Sequence, residues 1–439
     1  MGGIRSGGND KTHIITITGT ISAPPTPASE STFGSVVNIT VTLEGSGTVT
    51  VSSGNGNLLR IGDGQTVIVK DITLQGRDSN EGSVVVVNAG EFIMEGGAVV
   101  AGNKKNGSGG GVYVNGGTFT MKDKAAVSGN SAGDGIGGVY AGKGTFTMRD
   151  NATVSGNENG GVFAGGTFTM EGNASVSDNS GGGVGVGYET GFSLKKGTFI
   201  MRDNAAVSGN SGGSGVYVGS GNFIMRDNAA VSGNSNGGVE VDGGGVFTMQ
   251  GGIISGNTSG SGVYIGGVGF SSGVFIMEGG TISDNTASSG GGVYVGGRYG
   301  TFTMNDGMIT RNTAKDGSGG GVYVDTTFIM LGGTVSDNSA GRDGGGVYVS
   351  ETFEMQGGTV SGNTAGGDGG GVYIGTSRNG TTFTKTGGTI YGGNDADSVK
   401  NTAASRRGHA IYRSSGPQWR NITVAPTIDP DAYGFWLND

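Results

Sequence analysis

Two carboxylates stand together at "GVEVD", where Glu240 holds a position that sister segments give to an aromatic residue and Asp242 follows two residues later. In an extended strand, residues two apart share a face with attachment points ~6.6 Å apart, a spacing an acid/base pair could use. The plainer alternative is two solvated charges on an exposed strand. A second acidic set, Asp316, Asp343 and Asp368, lies in "AKDGSGGG", "GRDGGG" and "GGDGGG". Stacked, the three would form a row of like charges for calcium to neutralise, the one cofactor these residues suggest. They do not follow the nonapeptide "GGxGxDxUx" calcium repeat, and Gly-Asp turns beside Lys315 and Arg342 account for them more simply. Histidine occurs only at His13 and His409, near opposite ends, so a histidine acid/base centre in mid-chain is excluded. Cysteine is absent, which removes disulfides, thiolate metal sites and cysteine nucleophiles together.

Recognition has richer material. An aromatic residue sits at the centre of a recurring "GVYV" element: Tyr113, Tyr140, Phe163, Tyr217, Tyr264, Tyr294, Tyr323, Tyr348, Tyr373 and Tyr412, interrupted by Gly185 and Glu240. If the flanking valines face inward, these rings face outward in a row. Such a row stabilises a sheet by cross-strand contact and also offers a platform for sugar rings or a partner's apolar patch. Inserts of uneven length follow the element at 187–198, 266–274, 296–301 and 375–382, adding Tyr188, Phe192, Phe270, Arg298, Tyr299 and Arg378. Variation on one edge of a regular array is where repeat proteins place recognition. The ligand-contacting candidates are therefore Tyr217, Tyr264, Tyr294, Arg298, Tyr299, Tyr323 and Tyr348. A second outward column pairs threonines, as in Thr118/Thr120, Thr145/Thr147, Thr167/Thr169 and Thr301/Thr303. It is broken by Ile200, Ile224, Ile276, Ile329 and Glu354.

The elements that must position these columns are repeats. Phenylalanine of an "F-x-M" element recurs about twelve times from Phe92 to Phe383, at intervals of 22 to 31 residues. Methionine follows two residues later, with Lys385 in the last copy, and an asparagine closes each copy, from Asn103 to Asn363 and then Asn394. Each copy holds three short strand-like runs separated by Gly, Asn, Ser and Asp. A period in the twenties with three strands per period predicts one coil of a parallel β-helix. Alternation places Phe with Met, and both valines of "GVYV", on the inward face. Asparagines sit at the corners, where they tolerate left-handed backbone and can hydrogen-bond with the copies above and below. One coil cannot bury these side chains, whereas a stack can.

The chain has 439 residues with 101 glycines and 6 prolines, which excludes collagen, and enough Val, Ile, Thr, Phe and Tyr to argue against disorder. A net charge of −9 without basic stretches makes nucleic acid an unsuitable partner. No run of eighteen apolar residues provides a membrane segment. The expected organisation is an irregular start over 1–12, an N-terminal cap and opening coils over 13–89, regular coils over 90–399, and a last coil with C-terminal cap over 400–439. That cap contains Trp419 and Trp436 and covers the end of the core.

The spelling "GGGVYV", "TFTM" and "TVSGNTA" resembles the right-handed parallel β-helix repeat proteins of bacterial surfaces, within the pectate-lyase-like superfamily, over roughly residues 80–415. The resemblance implies an all-β, right-handed solenoid and an extracellular or cell-surface location, with a signal sequence outside this chain. It also makes polysaccharides the substrates to consider. Polygalacturonase-like sites carry Asp pairs with "GHG" and "RIK"; here "GHA" at His409 is the nearest counterpart and "RIK" is absent. The leading expectation is a non-enzymatic adhesin or carbohydrate-binding scaffold whose partner is a glycan or a host or cell-surface protein. A polysaccharide lyase or glycoside hydrolase using Glu240 and Asp242 is the alternative. Ice binding through the Thr-x-Thr face is a third reading. The oligomeric state stays open.

Overall fold

A computed structural model describes residues 2–414 apart from 6, 53, 134, 191, 192, 269, 270, 378, 379, 394 and 406. Trp419, Trp436, Phe192, Phe270, Arg378, Asn394 and the chain beyond 414 lie outside the described residues. The protein is all-β, with one short helical turn at Gly2–Arg5, and its parallel strands stack as a β-solenoid of about 14 turns. The turns fall into two compact units, residues 1–213 and 214–439.

Within each unit three parallel sheets run along the stack, and each keeps the side-chain alternation read from the sequence. In the first sheet Thr118–Met121 pairs in register with Thr145–Met148, so Phe119 meets Phe146 and Met121 meets Met148. Phenylalanine rings within each unit stack at 4.7 to 5.2 Å, and those from Phe92 to Phe353 are fully buried. Rings one coil apart at strand spacing fill the interior as a continuous column. The second sheet aligns the "VS" segments, as Ala126–Ser128 with Thr153–Ser155, burying Val127 and Val154. The third aligns "VYV", as Val293–Val295 with Val322–Val324, with both valines buried and the tyrosine outward. The Thr-x-Thr pairs also stack outward, Thr120 on Thr147 and Thr147 on Thr169, until Ile200 follows.

The opening turns use the same columns with different residues. Val41, Val67 and Phe92 share one column, and Leu43, Val69 and Met94 the next. His13 heads the first column opposite Val41. A fourth, two-residue strand of Thr-Ala type, not anticipated from the sequence, runs from Thr286–Ala287 to Thr402–Ala403.

The asparagine column differs from expectation in backbone geometry. Its members are buried rather than exposed corners, and none has positive φ. The left-handed residue is the one before each asparagine from Asn103 to Asn363: Gly102, Gly129, Gly156, Gly209, Gly233, Gly256 and Gly362, or Asp178, Asp284, Arg311 and Asp337. At Gly129 φ is 62° and a Cβ would meet nothing within 4 Å, so backbone conformation rather than space selects glycine there. With the turn made one residue earlier, each asparagine points inward. Asn312 Nδ2 donates to the Ile282 carbonyl at 2.9 Å and to Asn338 Oδ1 at 3.0 Å, while its Oδ1 accepts from the Asn285 backbone N–H at 3.1 Å. The final rung also moves: Asn363 Nδ2 donates to Asn401 Oδ1 at 2.9 Å, so Asn401 takes the place expected for Asn394.

Candidate functional site: a tyrosine ladder and its gap

In the second unit Tyr264, Tyr294, Tyr323, Tyr348, Tyr373 and Tyr412 occupy one register position on consecutive coils. Their rings stack at 5.4, 4.8, 4.7, 5.1 and 5.4 Å. The first unit carries a shorter run, with Tyr113 on Tyr140 at 5.1 Å and Tyr140 on Phe163 at 4.8 Å. The rings are half-buried, each hiding one edge against the sheet. At Tyr264 and Tyr294 the residue two positions on is glycine, and the ring lies over it. A Cβ at Gly296 would stand 2.6 Å from Tyr294 Cε1, and one at Gly266 would stand 2.9 Å from Tyr264 Cε1, closer than carbon atoms approach.

Other rungs carry a different residue at that offset, and at Tyr323 it is an aspartate that meets a phenol. Asp325 follows Tyr323 by two residues and accepts a hydrogen bond from Tyr294 Oη at 2.7 Å. Burial first, then this bond and the Asp325 charge, hold the Tyr294 phenol far above its ordinary range. Burial and the same charge push Tyr323 up to about 12. Asp325 was missed from the sequence, although it stands at the same offset as Asp242. These phenols stay protonated well beyond neutral pH. At neutral pH they are therefore available as hydrogen-bond donors.

The break in the ladder is at Glu240, set in register between Tyr217 and Tyr264. A carboxylate replaces a ring here, and a depression of about 380 Å³ opens, lined by Glu240, Tyr264, Tyr294, Asn236 and serines at 214, 259, 261, 288 and 289. Glu240 Oε2 accepts from Ser214 Oγ at 2.8 Å. Asp242 accepts instead from the N–H of Gly243 at 2.7 Å, within its own turn, and does not line the depression. After burial, the two carboxylates are the next influences raising the phenols of Tyr217 and Tyr264. Tyr264 is 39 % exposed and Tyr217 38 %. Arg298 and Tyr299 pair with each other, the guanidinium 5.9 Å from the ring centre, and neither lines the depression. Tyr348 stands in the ladder beyond it.

The acidic corner departs from the expected register. Asp368 N–H donates to Asp343 Oδ1 at 2.8 Å, and Asp343 N–H to Ser318 Oγ at 3.3 Å, so the stacked column is Ser318, Asp343, Asp368. Asp316 lies two residues before Ser318 and is exposed outside that column. The corner from Ala314 to Val322 is one residue longer than that from Ala340 to Val347, which leaves Asp316 out of the column. Among the described residues no group of three or more His, Asp or Glu side chains is arranged to hold a metal ion, and no helix is long and apolar enough to cross a membrane. Comparison with family models, curated proteins and solved structures gives no match.

Proposed function

We propose that this protein is a non-enzymatic, adhesin-like β-helix scaffold of the cell exterior that binds carbohydrate on its tyrosine face. The repeat spelling supports placing it beside the pectate-lyase-like surface proteins. The observation that carries the binding reading is the half-exposed ladder interrupted at Glu240 by a depression of about 380 Å³. A sugar ring presents apolar C–H faces that stack on aromatic rings, and its hydroxyls need acceptors and donors at the rim. Tyr264 and Tyr294 supply the first, and Glu240, Asn236 and the serines the second. With Glu240 bonded to Ser214 and Asp242 to its own turn, the pair is arranged for hydrogen bonding rather than for opposed acid and base work.

The test is a panel of neutral and acidic oligosaccharides, with and without calcium, scored for both binding and release of reducing ends. Binding without product, weakened about tenfold or more by Tyr264→Ser with Tyr294→Ser, supports the proposal. Product formation lost in Glu240→Ala would replace it with a hydrolase or lyase.

A further inference from the structure

Next to the ladder's first ring, in the first unit, a further position lacks a ring, with electrostatics opposite to those at Glu240. Register aligns Arg60 with Val86 and Val86 with Tyr113, so Val86 holds the rung below the Tyr113–Tyr140 stack. Val86 is 7 % exposed and rises little above the sheet. Arg60 and Tyr113 are therefore rooted ~9.6 Å apart, two strand spacings, with no ring at the position between them. The opening is a cleft of about 650 Å³ walled on one side by Pro25–Ala28, whose Thr26 N–H donates to the Asn57 carbonyl at 2.8 Å.

Two part-buried cations face this cleft. Lys105 Nζ lies 5.5 Å from the Tyr113 ring centre and donates to the Ser108 carbonyl at 2.8 Å and to Ser83 Oγ at 3.2 Å. Arg60 donates through Nε to the Glu30 carbonyl at 3.1 Å and through Nη1 to Asn57 Oδ1 at 3.0 Å. Among the described residues neither forms a salt bridge, and the one carboxylate lining the cleft, Glu81, is exposed. Burial lowers the pKa of both cations, the cost of holding uncompensated charge away from water. A chain of net charge −9 has carboxylates to spare, yet none neutralises this pair. An anion from outside would.

We propose that this cleft binds a sugar ring bearing one anionic group, the ring taking the ringless position beside Tyr113 and the anion lying between Arg60 and Lys105. Stacking supplies the ring contact, and the fork of Arg60 with the Lys105 ammonium supplies charge-assisted hydrogen bonds. The site is in a different unit from the Glu240 depression and prefers a ligand of opposite polarity, so it stands or falls independently of that reading.

The test uses the full chain with glucuronate, glucose 6-phosphate, glucose 6-sulfate and glucose, followed by saturation-transfer NMR and titration. At least one anionic sugar should bind at least about tenfold more tightly than glucose, and more weakly as salt rises. The tightest of the three identifies the source of the charge. Arg60→Gln and Lys105→Gln should each weaken that binding about tenfold. Val86→Tyr adds a ring to the ladder and should abolish binding while leaving the fold intact, which keeps the proposal testable if Arg60→Gln disturbs the Pro25–Ala28 segment. Tyr264→Ser should have no effect at this site. No binding by any anionic sugar, equal binding of glucose, or unchanged binding in Val86→Tyr overturns the proposal.

Discussion

Asn312→Ala tests the buried polar column at one rung. The substitution removes an Oδ1 that accepts from the Asn285 backbone N–H at 3.1 Å and from Asn285 Nδ2 at 2.9 Å, and an Nδ2 that donates to the carbonyls of Ile282 and Thr310. Asn285 Nδ2 keeps the Ile254 carbonyl at 3.0 Å, and Asn338 Oδ1 keeps the Asn312 backbone N–H at 2.9 Å. The Asn285 N–H keeps nothing. Leaving that fully buried donor without a partner costs about 1–3 kcal/mol, and the lost side-chain donor bonds add about 1 kcal/mol, for a total near 2–4 kcal/mol. Coils contact only their neighbours, so the loss should be local. Hydrogen exchange at the Asn285 amide should accelerate about 5- to 150-fold, the equivalent of 1–3 kcal/mol, with the change fading within a few coils. Thr303→Ala on the outward face should change stability by no more than about 0.5 kcal/mol. Unchanged exchange at Asn285 would refute the account of the column as obligatory hydrogen bonding.

Phe302, stacked at 4.7 Å on both Phe275 and Phe328, should cost about 3–5 kcal/mol when changed to Ala, measured by denaturant unfolding. The pair Tyr294→Ser with Tyr323→Ser should cost less, about 1–2 kcal/mol per ring, because the rings are half-buried rather than fully outward as the sequence suggested. Equal losses in the two variants would place the tyrosines in the core. Spectrophotometric titration should show Tyr323 ionising near pH 12, and Asp325→Asn should lower its titration. The sign follows from linkage. A phenol whose folded pKa lies above the unfolded value of about 10 contributes stability that is complete below pH 10 and declines as pH rises towards 12. Stability that increases across that interval would contradict the buried ladder.

The sequence by itself determined the coil, its three main faces and the inward Phe, Met and Val columns, but not the inward asparagines or the fourth Thr-Ala strand. In a stack of near-identical coils each residue's tertiary neighbours are its own counterparts one coil away. A local pattern such as "TFTM" therefore already specifies the Phe119–Phe146 contact. The tyrosine ladder and its break at Glu240 were legible for the same reason, whereas Asp325 was missed. Corners behave differently, because burial fixes the register of strands but not the number of glycines between them. Only the tertiary structure set Asp316 outside the acidic column, moved the last asparagine rung to Asn401, and assigned the left-handed turn to the residue before each asparagine from Asn103 to Asn363. The cationic cleft was least legible of all. Its parts come from residues 25–28, 55–60 and 81–88, in opening turns whose sequences do not repeat, and from 105–115 at the start of the regular coils. No alignment of the chain with itself brings Arg60, Lys105 and Tyr113 together, and their convergence is decided by how the irregular first turns fold onto the regular stack.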